Sequence, residues 1–299
     1  MTGRLSPQSF DVRRLGTWLT GPSSDVDRAR SAAFAEAIND TNPDHRAGRR
    51  VPPMFNVVPC YPVLYRAVDL VTPPDFRTRA VHAGQDIWFE RPLVIGSAIS
   101  ARARPIALTP ARTGTMVTVE LLVTDEDDMT MSQQYATAFV RGLVAPEAAG
   151  RQIARTAVPP AEPAHATARA TVDADQTFRY AAASGDMMRL HLDDDHARAM
   201  GFRGIIAHGL CVMAMSSVAV TGVLCDGDPG LLRRLAVRLA APVYPLDELI
   251  TQFHRDRPPN PGRARFAFET TTRHGDMAIK NGVAEVGPRP GGSSRGVLI

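Results

Sequence analysis

The chain has 299 residues, enough for one large domain or two of about 150. Its 44% hydrophobic and 22% charged content is that of an ordinary globular protein, and 34 basic against 31 acidic residues leave a net charge of only +3. The arginines fall singly or in pairs without interleaved aromatics, so the composition argues against a nucleic-acid partner.

Taken in order, the N-terminus "MTGRLSPQSF" has no apolar core of a secretory signal. "FAEAINDTNPDH" (34–45) is helical or irregular and ends in an acid and an imidazole; "IWFERPLVIGSAI" (87–99) is a later stretch with Pro92 near its middle. "TMVTVELLVTDEDDMTMSQQYATAFVRG" (115–142) alternates with period two on either side of an acidic turn, which predicts a hairpin. Residues 144–170 are rich in Ala and Pro and read as a linker.

"YAAASGDMMRLH" (180–191) then repeats the acid and imidazole, "VRLAAPVYPLDEL" (237–249) repeats that later stretch with Pro242, and "RARFAFETTTRHGDMAIKNGVAEVG" (263–287) repeats the hairpin. Asp40 pairs with Asp186, His45 with His191 and Val140 with Val286, all at an offset of 146. Two copies of one module follow, at 1–143 and 171–287, with helices on one face of antiparallel strands in an α+β class and a disordered tail at 288–299.

Between the second acid–imidazole pair and the second strand set lies Gly204–Cys225, 22 residues without Asp, Glu, Lys or Arg. That length admits a membrane span, but His208, Ser216, Ser217 and Thr221 interrupt it and no second such segment occurs, so it reads as a buried core helix. The cysteines, Cys60, Cys211 and Cys225, show no CxxC spacing and read as free thiols of a reducing, cytoplasmic compartment.

Asp186 and His191 are five apart, which is not a helix-face spacing, so a loop must bring them together if they act on one water. By spacing alone they read as a solvated acid and an unrelated surface or core imidazole. Gly209, after His208, opens the apolar helix; the free N–H groups there and the missing Cβ suit an oxyanion hole, or the glycine relieves crowding against the sheet. The run Asp193–Asp195 lacks metal-ligand spacing and reads as the acidic start of a short helix, with His196 on its surface.

"YAAASGDMMRLHLDDDHARAMGFRGIIAHGL" (180–210) resembles the hydratase motif of the MaoC-like, (R)-specific enoyl-CoA hydratases: Asp, His, Gly-Phe and Ala-His-Gly fall in that order. The resemblance implies a double hot-dog fold, in which each module wraps a long central helix in an antiparallel sheet and the two sheets merge. It implies reversible hydration of a trans-2-enoyl thioester to an (R)-3-hydroxyacyl thioester with no metal and no cofactor. Asp186 and His191 match the catalytic pair, Gly209 the thioester-binding amide, and His208 and Ser217 supporting positions. The acyl group would ride on coenzyme A or an acyl carrier protein, and a homodimer is compatible with the family.

Two departures stand out. Met188-Arg189 replaces the family's Asn-Pro, and Leu246 stands where glycine is usual. The first copy keeps "NDTNPDH" but carries "VPPMF" in place of "IAHGL", so Pro52 and Pro53 remove two donors where the oxyanion hole would be. The first module is therefore expected to be structural, shaping the acyl tunnel. Rival readings are an acyl-thioester-binding subunit without turnover, and a hot-dog thioesterase, which would need a carboxylate on or facing the central helix.

Overall fold

The computed structural model describes residues 9–153, 163–257 and 262–288. The first module opens with two short edge strands, β1 (Leu19–Thr20) and β2 (Ser24–Asp25), then α1 (Arg28–Ala37), α2 (Pro43–Arg46) and α3 (Tyr61–Val71). Four strands follow: β3 (Ala80–Phe89), β4 (Ala98–Ala111), β5 (Gly114–Asp125) and β6 (Thr130–Arg141). After β7 (Ala149–Gly150) and β8 (Ala166–Thr171), the second module repeats the plan with α4 (Gln176–Ser184), α5 (Asp194–Ala199), α6 (Gly209–Leu224) and strands β9 (Leu232–Leu239), β10 (Glu248–Asp256), β11 (Ala264–Thr272) and β12 (Met277–Val286).

All pairs are antiparallel, and the strands form one sheet in the order β1-β4-β5-β6-β3-β9-β12-β11-β10-β8. β3 and β9 make the seam: Gly84 lies opposite Arg238 and Trp88 opposite Arg234. Val140 pairs with Ala80 at the start of β3, and Val286 pairs with Leu232 at the start of β9, so the repeat read from the sequence is a repeat of structure.

The charge-free segment is α6, whose 16 residues pack on β8, β9 and β12 and across the seam on β3. Leu210–Ser217 are all buried along it. An all-round apolar helix is stable only when enclosed, as here. Among the described residues no helix is long and apolar enough to cross a membrane.

The counterpart in the first module is shorter. Prolines 53, 59 and 62 hold residues Pro53–Cys60 in a 3-10 helix, and regular α-helix begins only at Tyr61. Proline lacks the N–H that an α-helical turn needs.

The expected linker 144–170 includes strand at both ends: β7 adds to β4, and β8 forms the outer edge of the second module against β10. Its middle, 154–162, and the tail expected to be disordered, from 289 on, lie outside the described residues.

Candidate active site

Tyr180 and the small residues of α4 bring the chain to Gly185, which ends the helix with φ +89°. That left-handed turn is open to glycine and strained for other residues. Residues 186–188 are irregular, with Met188 extended, and a single 3-10 turn, Arg189–His191, brings the imidazole back toward Asp186. The loop is braced from the other module: the Arg30 guanidinium donates to the carbonyls of Ala183 and Ser184 at 2.9 Å each.

The Asp186 carboxylate and one ring nitrogen each of His191 and His208 lie within 4.8 Å of one another. His191 Nδ1 is 2.8 Å from the Ile206 carbonyl, which can only accept, so Nδ1 carries the proton and Nε2 is left with its lone pair. His208 Nε2 likewise donates to the Asp186 carbonyl at 3.1 Å, and its ring stacks on His191 with centroids 3.8 Å apart. His208 thus holds both members of the pair in place. Behind it, Tyr180 lies 5.0 Å from the His208 ring and meets Tyr61 of the first module, hydroxyl to hydroxyl, at 3.1 Å.

Burial raises the Asp186 carboxyl, with the neighbouring His191 pulling back against it. Burial lowers His191, opposed by its bond to Ile206 and by Asp186. The two shifts bring acid and base toward a common value, which favours passing a proton between them. His208 is driven down to about 2 by burial and by His191, so its ring is neutral.

Gly209 is the first residue of α6, and no carbonyl among the described residues accepts from its N–H. The close packing expected of this glycine is present, since a Cβ there would stand 2.3 Å from Leu239 Cδ1. Asp186, His191 and Gly209 together line a cavity of about 640 Å³ whose walls come from both modules, Tyr65, His82 and Gln85 from the first and Val237 and Leu239 from the second.

Ser217 is not brought to the pair. Its hydroxyl is buried and donates to the Ala214 carbonyl of its own helix at 2.7 Å, as a serine inside a helix commonly does. The residue sequence reasoning missed is Arg30; its role depends on the helix ends of two modules meeting, which no local pattern signals.

Of the Asn-Pro replacements, Met188 lines the cavity while Arg189 turns outward to Asp193 at 2.5 Å. Asp193 caps α5 and Asp194 and Asp195 lie in its first turn, so the acidic run serves a helix start; His196 is half-buried rather than at the surface.

In the first module the equivalent pair is closed. His45 Nδ1 and Asp40 Oδ2 are 2.6 Å apart, both groups are buried, and no water fits between them. Pro52 and Pro53 stand at the opening of the 3-10 helix.

Residues 155–275 match the sequence model of the MaoC like domain. A probable enoyl-CoA hydratase 2 of Dictyostelium discoideum is 32% identical over 120 residues, 40% of this chain and 39% of that protein. The mouse peroxisomal multifunctional enzyme type 2 is 25% identical over 219 residues, 73% of this chain and 29% of that protein. The chain thus spans well under two thirds of these curated relatives. Among solved structures, a MaoC-like dehydratase from Phytophthora capsici superposes with a TM-score of 0.80 over 94% of this chain and 100% of that one at 21% identity. A Mycobacterium tuberculosis protein described as a double hot-dog fold superposes at 0.59 over 95% of this chain and 99% of that one, at 14% identity. The chain carries a MaoC-like domain in its second half, and its described residues fold as a double hot dog.

Proposed function

We propose that the chain reversibly hydrates trans-2-enoyl thioesters to (R)-3-hydroxyacyl thioesters, with its second module supplying the chemistry. The observation that carries this reading is a carboxylate and an unprotonated imidazole nitrogen facing one space, beside the first amide of a buried helix, in a cavity of about 640 Å³. The names of the relatives, enoyl-CoA hydratase 2 among them, support the same class.

One water held by Asp186 and His191 loses a proton to the pair as its oxygen bonds to C3. The C2=C3 π electrons move toward the thioester, where the Gly209 N–H stabilises the developing oxyanion. The proton then passes from the pair to C2 on the same face, and both groups return to their starting forms. The net change is addition of one water, and dehydration is the same path reversed. The carrier is coenzyme A or an acyl carrier protein. The first module, with its acid and imidazole joined to each other and prolines at its helix start, has the role of a wall for the acyl chain. The linker 144–170 joins it to the catalytic module.

The purified chain is expected to hydrate crotonyl-CoA and a longer enoyl-CoA, and Asp186→Asn and His191→Ala are each expected to lower kcat/KM by about two orders of magnitude or more. Thioester binding without turnover would sink the reading, and release of free thiol would turn it toward a thioesterase.

A further inference from the structure

One uncommitted donor lines the cavity of the reacting pair, and it comes from the module whose own acid and imidazole are joined to each other. Tyr61 and Tyr65 lie four residues apart on α3, on one face of the helix and about 6 Å apart along its axis. The Tyr61 hydroxyl is taken up by the Tyr180 hydroxyl at 3.1 Å, and Tyr180 packs behind His208. Tyr65, one turn on, has no such partner. It is half-buried, it lines the cavity with Asp186, His191 and Gly209, and among the described residues its hydroxyl makes no hydrogen bond.

Burial, and after it the Asp186 charge, push the Tyr65 phenol up, so it keeps its proton at any pH at which Asp186 and His191 exchange theirs. The carboxylate is thus near enough to be felt at Tyr65. The two groups nevertheless share no direct hydrogen bond, and the cavity that both line lies between them.

A water shared by Asp186 and His191 directs one proton at the carboxylate and one at the lone pair of His191 Nε2. Of its own two lone pairs, one must point at C3. The other is left to be met by a donor. Around the pair the donors are already committed: His208 Nε2 to the Asp186 carbonyl, His191 Nδ1 to the Ile206 carbonyl, and Tyr61 and Tyr180 to each other. The Met188 N–H serves the Asp186 carboxylate at 3.3 Å, and the Gly209 N–H is required at the thioester. Tyr65 is left.

We infer that the Tyr65 hydroxyl donates a hydrogen bond to the oxygen that joins C3, which makes Tyr65 a catalytic residue supplied by the first module. That oxygen is neutral as water and neutral again as the product alcohol. Between the two it has begun to give up a proton before its bond to carbon is complete, so its negative charge is largest there. A donor aimed at it holds the transition state more tightly than either end of the reaction. Tyr65 keeps its own proton throughout, and proton exchange stays with Asp186 and His191. In dehydration the same contact assists departure of the hydroxyl.

This inference rests on the enoyl-thioester reading. In Tyr65→Phe, kcat for crotonyl-CoA is expected to fall about 10- to 100-fold. Inhibition by butyryl-CoA, which has the thioester but neither the double bond nor the added oxygen, is expected to stay within about twofold of the parent. An unchanged kcat would overturn the inference. A loss of rate matched by an equal weakening of butyryl-CoA would overturn it too, assigning Tyr65 to the wall or to the thioester. Should Tyr65→Phe fail to fold in a urea melt, Tyr65→Met, which also lacks the donor, carries the same outcomes. Should the parent chain not turn over crotonyl-CoA, the hydratase reading fails by itself. Calorimetric binding of (R)-3-hydroxybutyryl-CoA and butyryl-CoA then decides the Tyr65 contact: weakening in Tyr65→Phe confined to the hydroxylated ligand upholds it, and equal affinities in variant and parent reject it.

Discussion

His208 is buried against His191 with a pKa near 2, His82 lies in the cavity wall with a pKa near 4, and His191 is itself lowered. In the unfolded chain imidazoles titrate near 6.5. Below that pH the unfolded chain takes up protons that the folded one refuses, so stability is full above about 6.5 and declines as the pH falls, by up to about 1.4 kcal/mol per pH unit for each histidine. Asp186 works in the opposite sense, because its raised carboxyl is protonated in the folded state first. Urea melts from pH 7 to pH 5 are expected to show a falling midpoint, with a shallower slope in His82→Phe. A midpoint independent of pH would mean that these rings are hydrated. Asp186, His191 and Gly209 were legible as candidates because their residue types and order survive in the chain. The proton positions were not, since they depend on the Ile206 and Asp186 carbonyls, which every sequence has.

The turns between β3 and β4 and between β9 and β10 each hold one residue at positive φ, Gly96 at +88° and Leu246 at +71°. Leu246 is 62% exposed, so it gains little from packing while its Cβ crowds the backbone. Leu246→Gly is expected to stabilise the chain by about 1 kcal/mol, the strain relieved exceeding the added freedom of the unfolded state. Differential scanning would register a rise of about 2–4 °C. At this scale β12 and the hairpin of β5 and β6 were legible because long alternating runs admit few other readings. The first module's helix was not, because its prolines split it between 3-10 and α geometry. β8 was hidden in the linker, since "ATARAT" alternates only small with polar residues and its pairing is set by β10.

Across the molecule the modules hold each other by reciprocal contacts. Arg30 caps α4 from the first module, and Arg179 of the second donates to the Glu36 carbonyl at the end of α1 at 2.8 Å. At the seam, Arg234 makes a two-pronged pair with Asp86 at 2.9 and 2.7 Å, reaches the fully buried Glu285 at 3.1 Å and stacks its guanidinium 4.4 Å over Trp88. Arg234→Met would take the cation from Asp86 and leave Glu285 only Arg263 at 3.5 Å, and a loss of about 3 kcal/mol is expected from denaturant melts. A single transition shared by both modules is expected in the parent chain; two separate transitions would show the seam to be weak. The internal repeat made the double architecture legible, but the choice of β3 and β9 as the seam was not, because every strand carries a similar apolar face.

Joining the halves by β3 against β9 gives the chain the geometry of a twofold dimer without its constraint. In a pair of identical subunits each substitution enters twice, so a change that widens one wall also alters the other. Here the two seam strands carry separate irregularities, at Ala83 in β3 and at Arg233 in β9, and each can change without the other. One lining can drift toward a new guest while the opposite lining keeps its grip on the reacting end.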